Sequence, residues 1–308
     1  MFRPLSVLST CALISACGQS APEQSMSAEA PEPMPVEVIE EIVAPEPASL
    51  DDIISALPEE AQARVVYRNP KETLEFFGVE PGMTVVDTTP GSIWYTGILA
   101  AYLGPEGKVI GADRPLSVWE SFGSEYSPPE FLAERPNWTT TWPEEKAATY
   151  DADAPSFDAI AYGAVPAELA GTVDVVMMIR EFHNIMAADD SNALIEDVLA
   201  EIYMLLKPGG VFGMVQHRAQ EEMPDAWADG SRGYIKQSTV VALAEGAGFT
   251  LEATSDVNTN PKDQPTEDDA VWRLAPTLDV PEEDTELLAD MVAIGESDRM
   301  TLKFRKAE

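Results

Sequence analysis

Val173–Ile179 is apolar at every position except Asp174, and this run limits the possible folds more than any other stretch. A strand without polar alternation must be buried on both faces, as in the middle of a parallel sheet. Its sequence neighbours supply the cover. Leu194, Ile195, Val198, Leu199, Ile202, Leu205 and Leu206 stripe one face of a helix closed by Lys207-Pro208-Gly209-Gly210, and residues 211–215 form a second buried strand. Upstream, Asn69-Pro70-Lys71-Glu72 starts a helix, with Asn at the N-cap, Pro at the first position and Gly78 at the end. Residues 83–87 are β-rich and end in Asp87. Tyr95, Ile98, Leu99 and Tyr102 then mark a helix over 94–103, stopped by Gly104-Pro105, and Lys108–Asp113 is a second strand ending in an acid. Residues 238–244 predict a helix, and 250–253 and 300–304 predict the last strands. Between Asp113 and Asp174 either 137–142 or 157–162 supplies the third strand. Strands alternating with helices predict an α/β domain, a Rossmann-like doubly wound sheet with right-handed crossovers.

The 308 residues carry 54 acidic and 19 basic side chains, a formal charge of −35. Nucleic acid is excluded as a partner, because phosphate backbones are bound by cationic groups that displace counterions. Both cysteines, Cys11 and Cys17, lie at the extreme N-terminus, so the folded part has neither a disulfide nor a thiolate metal site. Met1-Phe2-Arg3 followed by an apolar stretch over 4–14 reads as a signal peptide covering residues 1–16. Ile14-Ser15-Ala16-Cys17 resembles a bacterial lipobox. That resemblance implies a lipidated Cys17, a protein anchored in the cell envelope, and membrane contact through the acyl chains only. Residues 18–48 are rich in Pro, Glu and Ala, and no Lys or Arg occurs between Arg3 and Arg64, which predicts a disordered tether over 17–48. Residues 49–80 follow as N-terminal helices, and 81–308 as the main domain.

In a doubly wound sheet ligands bind at the carboxyl ends of the strands, where strand order reverses. The first such loop runs from Asp87 to Thr96 and holds one glycine, Gly91; the G-x-G-x-x-G pattern of nicotinamide enzymes is absent. The chain's two histidines, His183 and His217, each sit just beyond the end of an apolar strand and so face one crevice. They can deprotonate a nucleophile or make structural hydrogen bonds. Arg180, Glu181 and Asn184 share the first of these loops and can position a substrate. The histidines lack metal-ligand spacing, and no metal is expected. Residues 281–294 can form a helix with Leu287, Leu288, Met291 and Ile294 on one face, either packed in the core or serving as a lid.

Strand, acid, Pro90-Gly91 turn, helix, then a strand closing on Asp113 resembles the first motifs of class I S-adenosylmethionine-dependent methyltransferases. Phe182-His183-Asn184, Asn260-Pro261, Asp298-Arg299 and Lys303-Phe304-Arg305-Lys306 are similar to a bacterial group of predicted methyltransferases, a likeness spanning residues 69–306. The resemblance implies a mostly parallel sheet with an antiparallel last strand and S-adenosylmethionine as cofactor. It gives Asp113 to the ribose hydroxyls, Asp87 to the loop backbone or the methionine end, and Gly91 to close backbone approach. A small-molecule methyl acceptor follows, with His183 and His217 as catalytic candidates. One departure stands out: Ile93 occupies a position where the family usually has a small residue or glycine, which narrows the pocket. The alternative is a non-catalytic lipoprotein that keeps this fold as a binding or structural module.

Overall fold

The computed structural model describes residues 48–90, 94–189 and 191–308. The proposed leader, Cys17, the tether up to residue 47, Gly91 and Ile93 lie outside the described residues. Four short helices come first: α1 (Leu50–Ser55), α2 (Glu59–Gln62), α3 (Val65–Arg68) and α4 (Pro70–Phe77). Helix α4 starts at Pro70 and ends at Gly78 as expected, but Asn69 does not cap it through its side chain. Asn69 is left-handed and its amide donates to the Val257 carbonyl at 2.6 Å, tying the helix start to the far end of the chain.

Strand β1 (Thr84–Thr88), helix α5 (Trp94–Tyr102) and strand β2 (Lys108–Asp113) follow the expected order. Beyond β2 comes an insertion of short helices, α6 (Leu116–Ser121), α7 (Gly123–Tyr126) and α8 (Pro129–Glu134), before α9 (Trp138–Thr149) and β3 (Ser156–Ala161). The second of the two candidate segments is therefore the third strand. Residues 137–142 are helical because Trp138 and Trp142 fall four apart on one face and lie over β2. A Cβ at Gly111 would come within 3.0 Å of Trp138 and 3.1 Å of Trp142, so a side chain there would have to push the indoles back.

Strand β4 (Val173–Ile179) leads to α10 (Phe182–Ala187) and α11 (Ala193–Leu205), then β5 (Leu206–Ala219), β6 (Ile235–Lys236), α12 (Gln237–Gly246), β7 (Thr250–Ser255), α13 (Thr285–Ile294) and β8 (Arg299–Arg305). The sheet order is β3-β2-β1-β4-β5-β8-β7, with β6 added beside the end of β5. Strands β1 to β5 are parallel, and β8 runs antiparallel between β5 and β7. This is the doubly wound Rossmann-like sheet with an antiparallel last strand. Val173, Val176 and Met178 of β4 pack with Ile195, Leu199 and Ile202 of α11 on one face. Val175 and Met177 pack with Leu74, Phe77, Ile98 and Leu99 on the other. Burying each such side chain contributes about 1.5–3 kcal/mol, which is why the apolar run could only be a central strand.

Two expectations need correction. Strand β5 does not stop at residue 215: Gln216 and His217 pair with Met300 and Arg299 of β8, so His217 lies within the strand. Lys207-Pro208-Gly209-Gly210 belongs to the irregular start of β5, although α11 does end just before it at Leu205. The last helix begins at Thr285, where the Asp284 side chain accepts from the Leu287 amide at 3.0 Å. None of its residues is fully buried, so it is not a core helix. Among the described residues no helix is long and apolar enough to cross a membrane.

Candidate active site

Strand order reverses between β1 and β4, and both strands end in an unusual backbone turn. Thr89 has φ 49° and Arg180 has φ 58°. Left-handed conformations at non-glycine residues, a β-branched threonine above all, are strained and concentrate at functional sites. Each turn is held by its neighbouring strand: Thr89 N–H donates to the Ala112 carbonyl and Arg180 N–H to the Val215 carbonyl, both at 2.7 Å.

Three openings meet at Thr89. The first, about 140 Å³, lies toward Asp113 and is lined by Pro90, Trp119, Arg135, Trp138 and Trp142. The second, about 110 Å³, lies over Asp87, Trp94 and Tyr95, with Arg64, Arg68 and Arg180 around it. The third is a crevice of about 310 Å³ containing Arg114, Arg180, Glu181, His183, Asn184, His217, Trp272 and Glu296. Sequence reading placed His183, His217, Asp87 and Asp113 around one crevice, and the structure brings them to these adjoining openings.

Asp113 is buried and both of its oxygens are engaged. Oδ1 accepts from the Arg114 amide at 3.0 Å and from Trp119 Nε1 at 3.1 Å, and Oδ2 accepts from Arg135 Nε at 2.9 Å. The Arg135 guanidinium is boxed by Trp119, Phe131 and Trp138, at 4.7, 5.3 and 5.2 Å from the ring centroids. Arg135, Trp119 and Phe131 all come from the insertion after β2, a segment with no clear sequence periodicity. Asp87 accepts from the Thr96 hydroxyl at 2.7 Å, and burial raises its pKa to about 6 against that hydrogen bond.

His183 does not sit in a loop but on α10, where its Nδ1 lies 3.2 Å from Gln216 Oε1. Gln216 Nε2 donates to the Gly233 carbonyl at 2.8 Å, which turns Oε1 toward the ring. His183 therefore carries its proton on Nδ1 and leaves Nε2 with a free lone pair. The helix is covered by the 219–233 loop: at Gly230 a Cβ would fall 2.7 Å from the His183 carbonyl, so the loop can approach only as glycine. His217 packs edge-on to His183, with centroids 5.4 Å apart, and its Nδ1 pairs with Ser297 Oγ. Burial pushes His183 down to about 4 and His217 well below the usual imidazole range. Both are neutral at physiological pH, and neither titrates near neutrality as free imidazole would.

Glu181 is the group poised near neutrality. Burial raises its carboxyl to about 7, opposed by Arg114, whose Nη2 donates to Oε2 at 2.7 Å; Asn184 donates to the same oxygen at 3.0 Å. Glu181 Oε1 makes no well-formed hydrogen bond among the described residues, although the nearby Thr89 hydroxyl favours the ionised carboxylate. The sequence marked Glu181 for substrate positioning only, since nothing local reveals that Arg114, from another strand end, would bury with it.

Sequence reading also missed an arginine cluster. Glu296 receives Arg68 Nε and Arg299 Nη1, each at 3.0 Å, with all three side chains buried. Arg180 stands beside them with no ion pair among the described residues; burial and then the charges of Arg68 and Arg299 lower it to about 10, still protonated at neutral pH. The Asn260-Pro261 motif supports this arrangement: Asn260 Nδ2 donates to the Ile294 and Glu296 carbonyls at 2.9 and 2.6 Å, fixing the chain that delivers Glu296 and Ser297. Asp298 pairs with Arg218, and Lys306 Nζ donates to the Tyr203 and Leu206 carbonyls, so these motif residues act structurally. Among the described residues no group of His, Cys, Asp and Glu is arranged to hold a metal ion.

No family model and no curated protein matches the chain. It is similar to a SAM-dependent methyltransferase from Aquifex aeolicus: 18% identity over 68% of this chain and 94% of that one, with a TM-score of 0.42. The geranyl diphosphate C-methyltransferase of Streptomyces coelicolor A3(2), solved with Mg2+, geranyl diphosphate and S-adenosyl-L-homocysteine, shows 12% identity over 83% and 88%, with a TM-score of 0.48. The [4+2]-cyclase SpnF shows 14% identity over 78% and 80%, with a TM-score of 0.47. The fold is read from the sheet order itself, and the chemistry rests on the residues of this crevice.

Proposed function

We propose that this protein transfers a methyl group from S-adenosylmethionine to a small acceptor bound in the His183–Glu181 crevice. The observation that carries this is the convergence of three openings on the strained Thr89 turn, at the point where strand order reverses. Orphaned buried polar atoms gather there: Thr89 Oγ1, Trp94 Nε1, Arg68 Nη2, Arg180 Nε and Glu181 Oε1. Such a concentration fits a bound polar ligand better than a packed interior.

The cofactor fits these residues with one condition. Asp87, Thr89 and Tyr95 line the chamber for its methionine end, and Asp113 stands where the ribose hydroxyls would bind. Both Asp113 oxygens are engaged, so the ribose needs Arg135 to withdraw on the exposed insertion. When bound, the cofactor supplies an electrophilic methyl on a sulfonium. His183 Nε2 accepts a hydrogen bond from the acceptor and orients it, with His217 setting the ring's position from behind. Glu181 Oε1 takes the acceptor's proton, and its raised pKa suits a base working near neutrality. Trp272, 37% exposed and 6.3 Å from His183 between ring centroids, shields the crevice mouth from water.

The experiment is calorimetry of the full chain with S-adenosylmethionine and S-adenosylhomocysteine. We expect saturable heat with both; no heat and no thermal shift with either would exclude methyl transfer. A second function, a non-catalytic binding module in the same location, is favoured by one observation: Arg135 already satisfies Asp113. Lipid anchoring at Cys17 in the cell envelope is proposed from the lipobox resemblance. Full-length protein should partition with membranes and Cys17→Ser should not, and a mature terminus elsewhere than Cys17 would refute it.

A further inference from the structure

We propose that the crevice recognises an acceptor through an oxyanion, a phosphate or carboxylate group, with Arg180 as its principal ligand. The word acceptor rests on the methyl-transfer function proposed above; recognition of the anion does not.

Arg68 and Arg299 divide one carboxylate, Glu296, and Arg180 stands beside them with no ion pair among the described residues. Glu181 is committed to Arg114 and Asp113 to Arg135, so neither neutralises the cluster. Asp87, on the chamber side, accepts from the neutral Thr96 hydroxyl and keeps its charge, which faces Arg64 there as well as Arg68 and Arg180. Arg180 is left without a counter-ion of its own among the described residues where it lines the crevice, in a protein of net charge −35. Unpaired charge in a sheltered site is costly and persists where a ligand repays it.

The orphaned donors agree with the charge count. Arg180 Nε, Arg68 Nη2, Arg299 Nε and Arg114 Nε are all buried with no hydrogen-bond partner among the described residues. Arg180 is the best placed, because it lines both the large crevice and the chamber over Asp87. Its left-handed backbone is a second, independent mark of a position held for a purpose other than packing. The planar guanidinium fork matches the two oxygens of a carboxylate or phosphate edge. Across the crevice the neutral His183 adds a hydrogen-bonding ring without competing charge.

The test measures thermal shift and calorimetric binding of the full chain with inorganic phosphate, malonate, the neutral analogue malonamide, and chloride at matched ionic strength. Each is run with and without saturating S-adenosylhomocysteine. Phosphate or malonate should stabilise the wild type beyond chloride and malonamide, and the stronger of the two names the anion class. Arg180→Asn keeps a residue that tolerates the left-handed backbone and should weaken that anion by at least about tenfold, a charge-assisted hydrogen bond's contribution. Its ligand-free melting temperature should rise, because the repulsion with Arg68 and Arg299 is gone; Arg180→Lys should retain part of the binding. No anion-specific shift in the wild type, or unchanged affinity in Arg180→Asn, overturns the proposal. Loss of anion binding when S-adenosylhomocysteine is present also overturns it, since Arg180 would then serve the cofactor. If S-adenosylhomocysteine does not bind at all, the anion measurements still decide this question while methyl transfer fails separately.

Discussion

The two ends of the cleft are built in opposite ways. At the Asp113 end both carboxylate oxygens are hydrogen-bonded, the opposing cation is boxed by three aromatic rings, and two tryptophans fill the space over Gly111. At the Arg180 end, guanidinium groups outnumber carboxylates and buried donors go unsatisfied. The first end has its partners within the chain, and the second is arranged for a partner that the chain does not contain. Under the proposed methyl transfer the first end is the cofactor half and the second the acceptor half, and substitutions at each end should behave accordingly.

The largest effect is expected at Glu296. Glu296→Gln removes the carboxylate shared by Arg68 and Arg299 and should cost about 3–5 kcal/mol in urea denaturation, as for other buried charges stripped of a partner. A cost under about 1 kcal/mol would mean that the cluster is solvated rather than held in tension.

Next comes pH. Glu181 is raised in the folded state from 4.5 to about 7, so the fold binds more protons than the unfolded chain between those values. Its contribution to stability is present below the unfolded pKa and is lost as pH rises through about 7. His183, lowered to about 4, acts in the other direction, losing stability as pH falls from 6.5 toward 4. Glu181→Gln should therefore gain on the wild type by roughly 3 kcal/mol between pH 4.5 and 7, whatever its constant offset from leaving Arg114 unpaired. Turnover of the wild type should rise through the same range as the base ionises. A stability difference between the two proteins that does not change with pH would remove Glu181 from the role of base.

Arg135→Ala sharpens the comparison from the closed end. It loses an ion pair and aromatic stacking, costing about 1–2 kcal/mol of stability, yet frees Asp113 and should tighten S-adenosylhomocysteine binding. Weaker binding in that variant would make Arg135 part of the cofactor site instead of its cover. The smallest effect belongs to Trp272→Ala at the exposed mouth, within about 1 kcal/mol in stability. It should still raise the acceptor KM by opening the crevice to water.

The sheet was readable because its strands are short apolar runs that end in marked residues. Val173–Ile179 permitted one location, and Asp87 and Asp113 flagged the loops that follow their strands. Residues 137–142 misled in part because Trp and Thr favour strands; their helix packs its two indoles against β2 where Gly111, on another element, has no side chain. The length of β5 was hidden for a similar reason, since Gln216 and His217 are strand residues through their pairing with β8. The arginine cluster was beyond sequence reading altogether. Arg68 and Glu296 meet across 228 residues, and neither carries a local sign of the other. The histidines were legible as site residues, but their low pKa values depend on burial under the 219–233 loop and on neighbouring arginines.

The most direct test is a crystal structure of the full chain grown with S-adenosylhomocysteine. Arg135 should be swung away from Asp113, with both ribose hydroxyls within hydrogen-bond reach of its carboxylate and the homocysteine sulfur facing His183 and Glu181. A structure in which Asp113 and Arg135 remain paired and the cleft around Thr89 stays empty at saturating ligand would contradict a cofactor half at this end of the molecule.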